Sequence, residues 1–129
     1  MSPTLTLHRY FIWANRMRTH FDQVISEGDL DGTRETESLL YMSYWYGGLY
    51  VVIEGWQALK LSDSIIDELL TSPNVNLLRR YRNGVFHFQP EYNDARFDQF
   101  MTQGVDQVTW VRTLNEQFGR YFLEPTRSS

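Results

Sequence analysis

The sequence predicts an all-α fold, a single-domain bundle of about five helices covering 1–129. Apolar residues recur at steps of three and four over long stretches, the mark of helices that bury one face. Clusters of Gly, Pro, Asp and Ser separate those stretches, and no run alternates apolar and polar residues long enough for a strand. Helices packed around one core are the architecture consistent with all three observations.

The first helix is read from Leu7, Tyr10, Phe11, Ala14, Met17, Phe21, Val24 and Ile25, with Arg9, Asn15, Arg16 and Asp22 off that stripe. Turn formers from Ser26 to Thr33 end it. Glu35 and Glu37 then place negative charge at the positive dipole end of a second helix, from about Arg34 to Lys60. That helix is apolar nearly all round through Tyr41–Tyr46, which predicts a central position with burial on more than one side. Gly47-Gly48 inside it costs about 1 kcal/mol per glycine in helix propensity, and a close neighbouring helix is the expected reason.

Ser62 or Asp63 can cap a short third helix carrying Ile65, Ile66, Leu69 and Leu70. Ser72-Pro73 reads as the cap and first position of a fourth, with its body from Val75 to about Phe88, because Pro90 biases Gln89 away from helical geometry. From Phe97 through Phe100, Met101, Val105, Val108, Val111, Leu114 and Phe118 to Phe122 one stripe continues, predicting a long last helix with Gly104 as its weak point. Glu124–Ser129 reads as a poorly ordered polar tail.

With 129 residues, 42% hydrophobic and 16% aromatic, the chain has ample material for a core, and its many rings suggest a self-association surface as well. The lack of cysteine excludes disulfides, thiolate metal sites and a Cys nucleophile, and makes a cytoplasmic location the default expectation. No apolar stretch approaches the roughly 18 to 20 residues of a membrane span, so no membrane association is expected. A net charge of −4 removes any broad attraction to nucleic acid, so phosphate binding needs a local basic cluster.

Leu77–Gln89 holds one, with Arg79, Arg80 and Arg82 beside Asn83 and His87. At about 100° per residue, Asn83 and His87 share a helix face one turn apart, so Asn83 can position His87, whereas Arg82 and His87 stand about 140° apart unless the helix frays near Gly84. Arg79 shares the Asn83 face and Arg80 precedes Arg82 by two, an arrangement expected to form a positive patch suited to a phosphodiester. Tyr81, Phe86 and Tyr92 are candidates for stacking on an unpaired base, with core packing the competing role for Phe86. Glu54, a carboxylate in an apolar stretch of the central helix, is a candidate to approach and orient the motif arginines.

This segment resembles the signature of the HEPN family, small helical bundles with an Arg, four to six residues and a His near the end of a late helix, frequently with Asn after the Arg. Arg82-Asn83 and His87 match it with four residues between. The order and lengths of the helices agree over most of the chain. The resemblance implies a metal-independent endoribonuclease, serving as the toxin of a toxin–antitoxin pair or as another defence element. His87 would handle a proton, Arg82 would stabilise charge on the scissile phosphate, and the RNA 2′-hydroxyl would attack. It also implies a homodimer whose two motifs face one cleft, pooling two copies of Arg79, Arg80 and Arg82. The partners so implied are RNA, an antitoxin protein and a second copy, with no cofactor.

The alternative is a non-catalytic module whose basic helix end binds a nucleotide, RNA or an acidic protein. In the plainest structural reading the arginines pair with the acidic excess and His87 caps helix carbonyls. His8 and His20 lack a metal-ligand partner at turn spacing, and no HExxH pattern occurs. The four tryptophans, Met17 and Met42 fall in apolar helical patterns and are assigned to core or interface.

Overall fold

The computed structural model describes residues 2–28, 33–91 and 94–123, and among these the chain forms six helices and no strand. They are α1 (Pro3–Glu27), α2 (Thr33–Ala58), α3 (Ser64–Leu69), α4 (Asn74–Phe86), α5 (Ala95–Gln103) and α6 (Gln107–Leu123). They pack as one compact all-helical domain. Residues 29–32 of the expected turn and the expected polar tail, 124–129, lie outside the described residues.

α1 begins where Ser2 accepts a hydrogen bond from the Leu5 amide, with Pro3 at the first helical position, where its missing N–H costs nothing. It runs antiparallel to α2, as Leu7 against Gly55, Ala14 against Gly48 and His20 stacked on Tyr41 show. α2 is the central helix, as its pattern predicts. Leu49, Val52 and Ile53 are fully buried, while Trp45 meets Phe21 of α1 and Asn115 of α6, Trp56 meets Phe118 of α6, and Tyr46 meets Tyr81 of α4 and Phe100 of α5. Each such buried side chain contributes about 1.5–3 kcal/mol relative to exposure. Burial is not complete around its first half, where Leu39, Leu40 and Tyr44 are exposed.

The glycine pair serves close packing toward two different neighbours. A Cβ at Gly48 would stand 3.2 Å from Ala14 Cβ on α1, and one at Gly47 would stand 2.6 Å from the Phe86 ring on α4. α4 therefore lies antiparallel against α2 with its carboxyl end over Gly47. Gly84 does the same on the other side of α4, where a Cβ would meet Arg96 Cβ and the Phe97 ring of α5 at 3.2 Å. A glycine in the middle of the motif is thus explained by the approach of α5.

α3 is capped by Asp63, whose Oδ1 accepts from the Ile65 and Ile66 amides at 3.0 Å each. Ser62 instead donates to Asp67. Burial pushes the Asp63 pKa up, but the Arg120 guanidinium and the two amides outweigh it and leave the carboxyl below its ordinary range. α4 starts at Asn74, one residue after the expected first position, with Pro73 as its N-cap residue and the Asn74 amide donating to Ser72 Oγ at 3.0 Å.

The expected long last helix is two helices, which brings the count to six rather than about five. Gly104 is extended and Asp106 has φ +48°, so the chain turns between Gln103 and Gln107. Asn74, fully buried on α4, holds that break: its Nδ2 donates to the Val105 carbonyl at 2.8 Å, and its Oδ1 accepts from the Val105 amide at 2.9 Å. The apolar period continues through 97–122 because both halves bury one side, so periodicity alone does not reveal the break. After it, α6 runs antiparallel to α1, with Asp22 bonded to Arg112, Asn15 to Asn115 and Phe11 stacked on Phe122.

Candidate functional site

α4 stops at Phe86 because His87 leaves helical geometry, with φ −121° and ψ 128°, two residues earlier than Pro90 alone suggests. The His87 amide still bonds to the Asn83 carbonyl at 3.1 Å, and the His87 carbonyl accepts from Gln89 Nε2 at 2.7 Å. Gln89 in turn accepts from Arg96 at 2.9 Å, and Arg96 is paired with Asp94, the N-cap of α5. His87 is therefore fixed through its backbone from both sides, and the residue is exposed. The sequence does not single out Gln89 or Arg96. Their roles arise from the α4–α5 approach that Gly84 permits, and no local pattern announces it.

Arg82 faces α2. Its guanidinium carbon lies 4.9 Å from the Tyr50 ring centroid, its Nη1 is 3.6 Å from Glu54 Oε1, and its Nε donates to Asn83 Oδ1 at 3.0 Å. Glu54 does approach a motif arginine, while remaining 56% exposed itself. Asn83 differs from its expected role: its side-chain oxygen is turned to Arg82, and only its backbone reaches His87. A guanidinium one residue away competes for that oxygen more effectively than an imidazole beyond the helix end.

The expected positive patch is dispersed. Arg79 folds back onto Asn76 of its own helix, with hydrogen bonds of 2.8 and 3.1 Å, and stays exposed. Arg80 reaches α5 instead, donating to Gln99 at 2.7 Å. Successive residues point 100° apart on a helix, so three arginines within four positions meet three different neighbours.

Tyr81 is corrected from a base-stacking candidate to a core residue. It is 2% exposed, packs edge-on against Phe97 and shares a hydrogen bond of 3.1 Å with Ser43 Oγ. Burial raises its phenol pKa, and burial together with Tyr81 pushes its neighbour Tyr46 up to about 12. Phe86 covers Gly47 and contacts Tyr44, yet is 48% exposed. Tyr92 lies outside the described residues.

His87 opens into a groove of about 1020 Å³ between the first half of α2, the end of α4 and α5. Leu39, Met42, Val85, Phe97 and Met101 line it along with Tyr81, and Arg82 is not among its lining residues. The imidazole and the guanidinium thus serve different surfaces of one chain.

Among the described residues no group of three or more His, Asp or Glu could hold a metal ion, and no helix is long and apolar enough to cross a membrane. No protein-family model, no curated protein and no solved structure matches the chain, so its function is read from its residues and their geometry.

Proposed function

We propose that the chain is an endoribonuclease of HEPN type, working as a homodimer, in which His87 transfers the proton and Arg82 stabilises the phosphate. The observation that carries this reading is the state of Arg82. A guanidinium fixed at once by Tyr50, Glu54 and Asn83 is oriented before any ligand arrives, as charge stabilisation in a transition state requires. The exposed histidine five residues on, with its backbone held by Asn83 and Gln89, is a proton carrier on a firm support. In the reaction the 2′-hydroxyl oxygen attacks phosphorus as its proton passes to a base. The 5′-oxygen leaves with a proton from an acid, and a 2′,3′-cyclic phosphate remains.

Arg82 and His87 of one copy diverge, which favours a cleft shared between two. Leu40, Tyr44 and Phe86 are exposed apolar side chains on the same two helices as the motif and Glu54, with the Tyr44 and Phe86 rings 5.7 Å apart. A second copy on that surface brings two sets of Arg82, Asn83 and His87 together, with Arg79 at the margin. An antitoxin partner belongs to the same reading as the protein that would restrain the nuclease.

The test is cleavage of a labelled, structured RNA pool in EDTA by wild type, Arg82→Ala and His87→Ala. Cyclic-phosphate ends produced by wild type and lost in both variants support the nuclease. A folded wild type that leaves the RNA intact refutes it and favours the non-catalytic module, for which the binding of Arg79 and Arg80 to side-chain amides of the chain itself is the supporting observation: neither is paired with a carboxylate among the described residues.

A further inference from the structure

The groove beside His87 has a chemistry that RNA does not explain. Its floor is apolar and adaptable: Met42 and Met101, two of the four methionines in the chain, line it together with Phe97. Unbranched thioether side chains repack around varied apolar partners at little cost. Phe88 also lines it and is 90% exposed, the most exposed large hydrophobic side chain described. Among the described residues, the ionisable ones along the groove besides Tyr81 are His87 and the carboxylates Glu91, Asp94 and Asp98, and Arg96 is paired with Asp94. Asp98 sits in the first turn of α5, where the helix dipole favours it, so its charge alone carries no ligand signal. Apolar surface beside carboxylates does, because a ligand both apolar and cationic is attracted by each.

We propose that this groove docks an amphipathic, cationic helix of a partner protein, with apolar side chains on Met42, Phe97 and Met101 and Lys or Arg at Glu91 and Asp98. The walls decide for a helix. α2, α4 and α5 and the non-helical segment after Phe86 border it, and no strand is present among the described residues, so an extended peptide finds no sheet edge to join, whereas a helix satisfies its own backbone. The charge along the groove decides for a cationic partner. Binding is measured without RNA, so this proposal stands or falls independently of the ribonuclease reading.

The probe is a labelled Leu/Ala/Lys peptide of about 18 residues, about five helical turns, against a scrambled peptide of identical composition. Anisotropy reports affinity, and the methyl resonances of Met42 and Met101 report place. The expected result is binding by the amphipathic peptide alone, movement of both methyl signals, and roughly 10-fold weakening in the Glu91→Lys/Asp98→Lys variant. Phe88→Ser, at a site too exposed to affect folding, weakens binding as well. Equal binding of the scrambled peptide, unmoved methyl signals or absence of binding overturns the proposal. So does movement of those signals on raising the protein concentration alone, which assigns the groove to a second copy, or on adding a single-stranded RNA, which assigns it to nucleic acid.

Discussion

Arg82 Nη1 lies 3.6 Å from Glu54 Oε1 while the same guanidinium covers the face of Tyr50, so α2 holds the motif arginine by charge and by ring at once. The ion pair is exposed on the Glu54 side, where such a contact is worth no more than about 1 kcal/mol. Its consequence is orientation rather than stability. Glu54→Gln is expected to change the unfolding free energy by less than about 0.5 kcal/mol. The same variant is expected to lower single-turnover RNA cleavage about 10-fold, a barrier rise of about 1.4 kcal/mol, with RNA affinity little changed. Unchanged cleavage in Glu54→Gln would detach Glu54 from the site.

Gly47 and Phe86 are coupled by space. Replacing Gly47 with Ala gains about 1 kcal/mol of helix propensity but drives a Cβ into a half-exposed ring that must swing away. Gly47→Ala is therefore expected to be near neutral in wild type and stabilising by about 1 kcal/mol in a Phe86→Ala background. A double-mutant cycle by urea unfolding reads the difference.

Asn74 makes two side-chain hydrogen bonds to one residue, Val105, from a fully buried position. Asn74→Ala is expected to cost about 2 kcal/mol, and Asn74→Asp at least as much, because a carboxylate cannot donate to the Val105 carbonyl and is costly to bury. Hydrogen exchange around Val105 should speed up in both variants while amides in the middle of α2 shift only with global stability. Slow exchange at Val105 in Asn74→Ala would show that the break between α5 and α6 holds without the clamp.

Asp63 has a folded-state pKa below its ordinary 3.8, despite the opposing effect of burial, because Arg120 and the α3 amides favour the carboxylate. A depressed folded pKa contributes stability that is fully present above about pH 4 and is lost as pH falls through the folded value. Asp22, bonded to Arg112 and Arg18, acts in the same sense. The wild type should lose stability steadily below about pH 4, and Asp63→Asn should flatten that acid limb while keeping an N-cap. An identical acid slope in the two proteins, measured by thermal unfolding across the acid range, would remove Asp63 from the account.

Part of the candidate site is legible in the residue order. The 3.6-residue period predicts α1, α2 and the motif helix, and Gly47-Gly48 announces a close approach without naming the neighbour. The 140° expected between Arg82 and His87 assumes a helix through His87, whereas α4 ends at Phe86 and His87 is extended. Tyr81 is the instructive failure: its place among arginines suggests a stacking ring, but Tyr46, Phe97 and Phe100 enclose it from two other helices. Neighbours in sequence say nothing of neighbours across a core.

What the sequence by itself determined is the helical class, the central place of α2 and the set of polar groups at the end of α4, because these follow from local period, capping and composition. What only the tertiary structure decided is where those groups point and to what they are bound: Arg80 to Gln99, Arg82 to Tyr50 and Glu54, Asn74 to Val105, and Gln89 between Arg96 and the His87 carbonyl. Each of these contacts except that of Gln89 with His87 joins elements well apart in the chain or across a turn. The approach of two helices is set by the summed packing of their faces, a quantity that no single residue or spacing carries.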